Sequence, residues 1–337
     1  MQPYLMISNR SRDGDALGGE LASLAFYTAG ADADPVTLTR LSAWTRVTRA
    51  AFVQQLRQIA DGFPLLPDAE HEAQCHLCLF VHGYNVSWAD SVQDYLKVKR
   101  GLVEAARLGQ TVLYSWPSKG SVAGYLPDRE EARACAPDLA QLFVDLDDYL
   151  VKKQRLAAAS DDPAQLCRAK ISVIAHSMGN YVMQEALVAA SKRLNDPQLV
   201  SLINQFVMVA ADVDNDLFQR DQPADGDGSL MANLCYRIAA LYTGLDAVLG
   251  MSAGLKHFGT RRLGRSGLAD RANVWDNVFD FDITPYLDTA GSIHSAVFDS
   301  PPAIAIVENI LRGVDRNYIA RGIAPYAAPA PAAPQPA

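Results

Sequence analysis

Short apolar runs alternate with longer amphipathic segments along most of this chain, and that alternation limits its possible folds more than any other feature. Four such runs are Leu77 to Val81, Thr111 to Trp116, Ile171 to Ala175 and Phe206 to Ala211. Each is followed by a stretch whose patterning is helical or turn-like, which is the repeating unit of a parallel sheet covered on both faces. The sequence therefore predicts an α/β fold with a mostly parallel central sheet.

Weaker patterns extend this sheet at both ends and add the covering helices. Further strands are predicted at Leu5 to Ser8, Leu21 to Tyr27, Trp44 to Thr48, Tyr236 to Tyr242 and Val274 to Phe281. Helices are predicted at 50–61, 87–108, 128–152, 178–194, 247–257 and 303–312, with Ser87 as an N-cap. From Ala324 onward the chain is almost only Pro and Ala, which predicts a flexible tail at 324–337. Residues 1–323 are expected to form a single domain.

Composition and charge exclude several classes of protein. The 337 residues are 49% hydrophobic and 20% charged, enough apolar material for a large core. A net charge of −8 with scattered basic residues makes a nucleic-acid partner unexpected. No apolar run approaches the roughly 18 residues that span a bilayer, and no secretion signal opens the chain. We therefore expect a cytoplasmic protein without stable membrane insertion, whose oligomeric state the sequence does not decide.

The five cysteines contain one C-x-x-C pair, Cys75 and Cys78, with His71 and His76 nearby. This pair leads directly into an apolar strand, no second pair follows, and no helix starts after it, unlike zinc or redox motifs. An odd number of cysteines in a chain of this length is typical of reduced thiols. The sequence therefore predicts neither a metal site nor another cofactor.

The segment Ala175-His176-Ser177-Met178-Gly179 lies between a predicted strand and a predicted helix. A serine in that context, with small residues two before and two after it, is typical of a sharp turn that exposes a nucleophilic oxygen. Ala175 stands where glycine is more common. The alternative is that Ser177 only caps the following helix.

A second motif, His82-Gly83-Tyr84-Asn85, directly follows the strand Leu77 to Val81. A glycine there lets the backbone turn so that a following N–H points at a developing oxyanion. We interpret the amides of Tyr84 and Met178 as the two donors. The alternative interpretation of His-Gly is a plain turn.

Three blocks of sequence resemble a known family, and the match runs along most of the chain. They are FVHGYN (80–85), YSWPSKGSVAGYLPDRE (114–130) and AHSMGN (175–180). They look like a largely uncharacterised bacterial esterase/lipase-like family, first catalogued as domain of unknown function number nine hundred, within the α/β-hydrolases. The resemblance implies an α/β-hydrolase fold and a hydrolase with a Ser–Asp–His triad, but no particular substrate.

The order Ser, Asp, His along the chain restricts the remaining members of that triad. Asp246, in the block Asp246-Ala247-Val248-Leu249 that matches the family, is the predicted acid. Asp212 and Asp214 are the alternatives, because some hydrolases place the acid after the preceding strand. The acid would accept the proton-bearing nitrogen of the histidine and fix its tautomer.

Two histidines come late enough to be the general base. His294 lies in a turn before the final helix and is the predicted base, whereas His257 lies in a basic stretch and is expected to be solvated. His176 and His82 are expected to support the site through hydrogen bonds.

Trp116 and Tyr125 are predicted walls of a substrate pocket, together with Tyr84, although each aromatic side chain is equally compatible with the core. A lid is possible within 214–233.

These residues predict a serine hydrolase that cleaves a carboxylic ester or a related acyl bond of a small molecule. A thioesterase, an amidase or a phospholipase would use the same triad. The alternative from another class is a catalytically silent α/β-hydrolase scaffold that acts as a binding protein.

Overall fold

One nine-stranded sheet forms the centre of the chain in a computed structural model, which describes residues 2–65, 73–119, 124–160, 166–194, 201–256, 259–288 and 291–322. The strands are β1 Tyr4–Asp13, β2 Ala16–Ala29, β3 Thr45–Val47, β4 His76–Val81, β5 Gly109–Ser115, β6 Lys170–His176, β7 Ile203–Val209, β8 Cys235–Tyr242 and β9 Val278–Asp282. This confirms the predicted α/β class.

The strand order is β3-β2-β1-β5-β4-β6-β7-β8-β9. β2 pairs antiparallel with β1 and β3, and all other neighbours are parallel. In register, Val81 lies opposite Ala175, and Val209 lies opposite both His176 and Leu241. The carboxyl ends of β4, β6, β7 and β8 therefore meet at one edge of the sheet, where α/β folds bind ligands.

Helices cover both faces of the sheet. They are α1 Arg49–Asp61, α2 Trp88–Leu96, α3 Tyr125–Ser160, α4 Gly179–Leu194, α5 Asp227–Leu234, α6 Ala247–Met251, α7 Leu263–Ser266, α8 Pro301–Leu311 and α9 Arg316–Ala320. α2 and α6 continue as π-helical turns, Lys97–Glu104 and Ser252–Lys256. Ser87 caps α2, as predicted, by accepting the Asp90 N–H at 3.2 Å.

Strand alternation divides the buried side chains into two layers. Cys78 and Phe80 of β4 face one core with α2 and α8, whereas Leu79 and Val81 face the other, with α1, α3, α4 and α5. Because the inner strands are buried on both faces, they read as continuous apolar runs in the sequence.

Two regions differ from the sequence-based expectation in extent. β1 and β2 form a long hairpin around Gly14, whose φ of +58° suits the turn, so both strands run well beyond their predicted apolar centres. The last strand begins at Val278 rather than Val274, because Val274 forms an isolated bridge with Gln219 instead.

The segment 214–233 is mostly fixed to its neighbours. Asp214 forms a bridge with Arg262, and Met231 in α5 is fully buried. Residues 220–225 are exposed.

Among the described residues, no helix is both long and apolar enough to cross a bilayer. The tail predicted for 324–337 lies outside the described residues.

Candidate active site

Ser177 occupies the tight turn between β6 and α4. Its φ of +52° is in the left-handed region, which costs a non-glycine residue roughly 1–3 kcal/mol and persists only where the surroundings enforce it. The Ser177 N–H donates to the Val209 carbonyl at 2.9 Å, and the Ser177 carbonyl accepts the Asp212 N–H at 3.2 Å. The Asn180 side-chain amide donates to the same carbonyl at 3.1 Å. The turn therefore has the strained shape of a nucleophile elbow.

Two glycines allow this elbow to pack against the end of β4. A Cβ on Gly179 would lie 2.5 Å from the His82 carbonyl oxygen and 2.6 Å from that of Val81. A Cβ on Gly83 would lie 2.8 Å from the Ser177 Cβ. Both distances are shorter than real Cβ contacts, so a side chain at either position would displace the backbone that carries the serine. The two sequence motifs are thus in direct contact in space.

Asp246 and His294 form a hydrogen-bonded pair after β8 and β9. The His294 Nδ1 lies 2.7 Å from the Asp246 Oδ2. The other carboxylate oxygen accepts the Leu249 N–H at 2.9 Å, so Asp246 also caps α6. The Asp246 side chain is fully buried and that of His294 is 13% exposed. A carboxylate only accepts, so with neutral His294 the Nδ1 carries the proton and the Nε2 is left as an acceptor.

His176 holds the segment that carries His294. Its Nε2 donates to the His294 carbonyl oxygen at 2.9 Å, and the two ring centres are 4.9 Å apart. Burial, and after it the neighbouring His294, lower the pKa of His176 to about 3. His176 is therefore neutral at physiological pH and keeps one proton for this hydrogen bond, which is the supporting role expected from the sequence.

The turn after β4 is supported from beneath by Trp116. The indole stacks on the His82 ring with centres 5.3 Å apart, and its Nε1 donates to the His82 carbonyl at 2.8 Å. Burial, followed by the charge of Arg10, lowers the pKa of His82 well below its usual value. Asn85, at a φ of +58°, completes the turn.

Arg10, which the sequence analysis did not single out, is a buried brace for the same turn. Its guanidinium donates to the Val86 carbonyl at 2.8 Å, to the Ser118 carbonyl at 3.0 Å and to the Ser115 Oγ at 2.9 Å. Burial lowers the pKa of Arg10 to about 10, so the side chain stays charged at neutral pH. A lone arginine in a leading strand has no local pattern that reveals such a role.

The two amides predicted to bind an oxyanion follow Gly83 and Ser177 in the chain. The Met178 N–H donates to no described residue, and Met178 itself is fully buried. Tyr84 is half-buried, and its ring meets that of Tyr125 edge to face with centres 5.4 Å apart. The contact between Gly83 and the serine brings this turn against the elbow.

The structure buries both aromatic side chains that were predicted as pocket walls. Trp116 is completely buried beneath His82, where it supports the turn instead of facing a ligand. Tyr125 is 4% exposed and donates from its hydroxyl to the Asp212 Oδ2 at 2.8 Å. Both side chains therefore pack against residues of the site and are not exposed on its surface.

Asp212, one of the alternative acids, has an arginine as its charged partner. The Arg262 Nε donates to the Asp212 Oδ1 at 2.9 Å, and Ser252 donates to the same oxygen at 3.0 Å. Arg262 also forms an ion pair with Asp214. Burial by itself would raise the pKa of Asp212, but Arg262 and the hydrogen bonds from Tyr125 and Ser252 together lower it.

Arg262 belongs to the basic stretch near His257, which was expected to be solvated, but its side chain is fully buried. Its charge is neutralised by two carboxylates that follow β7. His257, the alternative base in that stretch, lies outside the described residues.

The C-x-x-C pair belongs to the opposite end of the sheet. Cys78 is fully buried in β4, and burial raises the pKa of its thiol to about 12. A thiol that stays protonated is a poor metal ligand or nucleophile.

Comparison with known proteins gives one family and several distant structures. A lipase B from Aspergillus fumigatus is 11% identical over 77% of this chain and 60% of its own, with a TM-score of 0.35. A phospholipase from Legionella pneumophila is 12% identical over 73% of this chain and 62% of its own, with a TM-score of 0.38. This chain thus spans about three fifths of the length of these structures. No curated protein matches the sequence.

The family match covers residues 65–312, well over half of the chain, and carries the description "Alpha/beta hydrolase of unknown function (DUF900)". Those residues include the elbow, the turn after β4 and the Asp246–His294 pair. The chain therefore belongs to this family of α/β-hydrolases.

Proposed function

We propose that the chain is a serine hydrolase that cleaves a carboxylic ester or a related acyl bond, with Ser177, Asp246 and His294 as its triad. The observation that carries the proposal is the 2.7 Å hydrogen bond from the His294 Nδ1 to buried Asp246, on the same edge of the sheet as the strained Ser177 turn. This bond leaves the Nε2 of a neutral imidazole as the base.

In the first step, His294 accepts the Ser177 proton at Nε2 while the Ser177 Oγ attacks the acyl carbon. The Ser177 hydroxyl has no hydrogen bond to a described residue, so it must rotate, or the His294 segment must move slightly, when substrate binds. Catalytic hydrogen bonds are often long in the absence of substrate and tighten in the complex. Asp246 stabilises the imidazolium that forms.

The tetrahedral intermediate needs donors for its oxyanion, and we assign these to the amides of Met178 and Tyr84. The Met178 N–H, which donates to no described residue, supports the first assignment, and the contact between Gly83 and Ser177 supports the second. Collapse of the intermediate breaks the bond to the leaving group, which takes the proton from His294. Water then repeats the sequence on the acyl-enzyme and releases the acid. No step needs a cofactor.

The substrate is proposed to be a small acyl compound, with ester, thioester and amide as the open choices. We narrow the proposed lid within 214–233 to the exposed residues 220–225, because the flanking residues on both sides are fixed by the bridge to Arg262 and by buried α5.

The test is labelling of the purified chain by a fluorophosphonate probe, together with hydrolysis of activated acyl esters of graded chain length. Ser177→Ala is expected to abolish both while the circular dichroism spectrum stays unchanged, because the nucleophile contributes orders of magnitude to the rate.

Ser172 offers a matched control. It is a buried serine on the same strand, and its Oγ lies 2.8 Å from the His76 Nδ1, yet it is at the opposite end of β6. Ser172→Ala should keep both labelling and hydrolysis. Labelling that persists in Ser177→Ala would refute the assignment of the nucleophile, and a folded wild-type chain without labelling or hydrolysis would favour the binding scaffold.

A further inference from the structure

A cavity that is separate from the candidate active site lies between α1, α3 and one face of the sheet. It has a volume of about 290 Å³. Apolar side chains make up nearly all of its wall, including Phe52, Leu56, Leu79, Val112, Leu139 and Phe143. No residue of the proposed triad lines it.

The cavity is a half-open pocket, since charged side chains in its lining are exposed to solvent. Water in an apolar pocket gains few hydrogen bonds, so its displacement by an apolar molecule is favourable. A volume of about 290 Å³ is close to the lower end of small-molecule sites, roughly 300–1,000 Å³. The wall therefore suits a hydrocarbon chain.

The charged residues that line the cavity favour an anionic head group. Arg49 forms an ion pair with Asp145, and the side chains of both are nearly half exposed. Arg57 stacks on the Tyr149 ring at 4.6 Å and forms no ion pair with a described carboxylate. A stacked guanidinium keeps its N–H edges free for a bidentate carboxylate. Two arginines and one aspartate leave this region with a net positive charge.

We propose that this cavity binds a fatty acid, with the hydrocarbon chain between α1, α3 and the sheet and the carboxylate on Arg57. This site is separate from the one in which acyl bonds would be cleaved, and its existence does not depend on the proposed function.

Isothermal titration calorimetry of the full chain with decanoate tests this proposal. We expect one bound molecule per chain and a negative heat-capacity change, the mark of buried apolar surface. Decyltrimethylammonium, with the same chain and the opposite charge, should bind at least tenfold more weakly, because a charge-assisted hydrogen bond contributes about 1.5–3 kcal/mol.

Two variants locate the site. Arg57→Gln removes an exposed charge and should weaken decanoate binding about tenfold or more. Ala60→Phe fills the buried end of the cavity and should abolish binding, with its fold checked by circular dichroism. Arg155→Gln, which removes an exposed arginine elsewhere on α3, should have no effect.

Hydrolysis of a short soluble ester, measured on the same variants, separates the two proposals. We expect it to be unchanged in Arg57→Gln and Ala60→Phe. Absence of saturable decanoate binding, equal binding of the cationic analogue, or binding that neither variant weakens would each overturn the fatty-acid site. Loss of decanoate binding in Ser177→Ala would assign the ligand to the active site instead.

Discussion

Two buried aspartates follow neighbouring strands of the sheet and differ in the partner that each one meets. Asp246, after β8, faces the His294 imidazole at 2.7 Å, whereas Asp212, after β7, faces the Arg262 guanidinium at 2.9 Å. An imidazole gains and loses protons near neutral pH, and a guanidinium does not. The same residue type therefore contacts a side chain that can transfer protons in one region and a permanently charged side chain in the other.

The contacts of Asp212 also reach the candidate active site. The Asp212 N–H donates to the Ser177 carbonyl, and the Asp212 carboxylate holds Tyr125 and Ser252 in place. A rigid, fully paired network beside a strained turn helps to maintain that turn. The difference teaches that burial and position at a strand end do not by themselves identify a catalytic acid.

The largest expected effect is the loss of kcat when the Asp246–His294 pair is disrupted. Asp246→Asn should lower kcat by about 10⁴-fold, because the amide favours the wrong imidazole tautomer. His294→Ala should be about as damaging as Ser177→Ala, since the residues act as one unit. Steady-state kinetics on an activated ester measures both. A larger loss of kcat in Asp212→Asn or Asp214→Asn would reverse the comparison.

The second effect is on stability and belongs to the other aspartate. Asp212→Ala leaves the buried Arg262 charge with only half-exposed Asp214, and should lower the free energy of unfolding by about 3 kcal/mol. Urea unfolding measures the loss. The double variant Asp212→Asn, Arg262→Gln, which removes both charges, should regain part of it, and failure to do so would argue against a charge-pair origin.

Acidification is expected to weaken the two regions in different pH ranges. The unfolded chain protonates His176 below about pH 6.5, but the folded chain keeps it neutral until about pH 3. The free energy of unfolding therefore decreases as the pH is lowered from about 6.5 to about 3, by about 1.4 kcal/mol per pH unit for this histidine. The pKa of Asp212 is lowered in the folded chain, so its contribution is full above the unfolded value of about 4 and is lost only at lower pH.

Urea unfolding at pH 7 and pH 5 separates these contributions. Between pH 7 and pH 5, the free energy of unfolding should decrease by about 2 kcal/mol less in His176→Asn than in the wild type. This difference is about 1.4 kcal/mol per pH unit over the roughly 1.5 pH units below pH 6.5. Asp212→Asn should show the wild-type difference. The buried histidines His76 and His82 contribute equally to all three proteins and cancel. An unchanged pH dependence in His176→Asn would contradict the neutral, buried state of this histidine.

The smallest expected effect is the loss of one positioning hydrogen bond. His176→Phe removes the donor to the His294 carbonyl and should lower kcat roughly fivefold, since a hydrogen bond contributes about 1 kcal/mol. His176→Gln keeps an N–H donor and should recover part of this loss. If kcat is the same in both variants and in the wild type, the bond does not position the base.

The sequence by itself determined the order of strands and helices, the elbow at Ser177, its contact motif at Gly83 and the short set of candidate acids and bases. These features depend on local physics: the twofold period of strands, helix caps, and glycines where a Cβ would collide. Such rules act over a few residues and can be read along the chain.

Only the tertiary structure decided which aspartate meets which partner. Asp246 and His294 are 48 residues apart, and Asp212 and Arg262 are 50 apart, so separation along the chain does not distinguish the pairs. No local pattern in the sequence indicated that Arg10, Arg262 and Trp116 are buried. A buried charge or indole is tolerated only where distant groups satisfy its hydrogen bonds, and the arrangement of those groups exists only once the sheet has assembled.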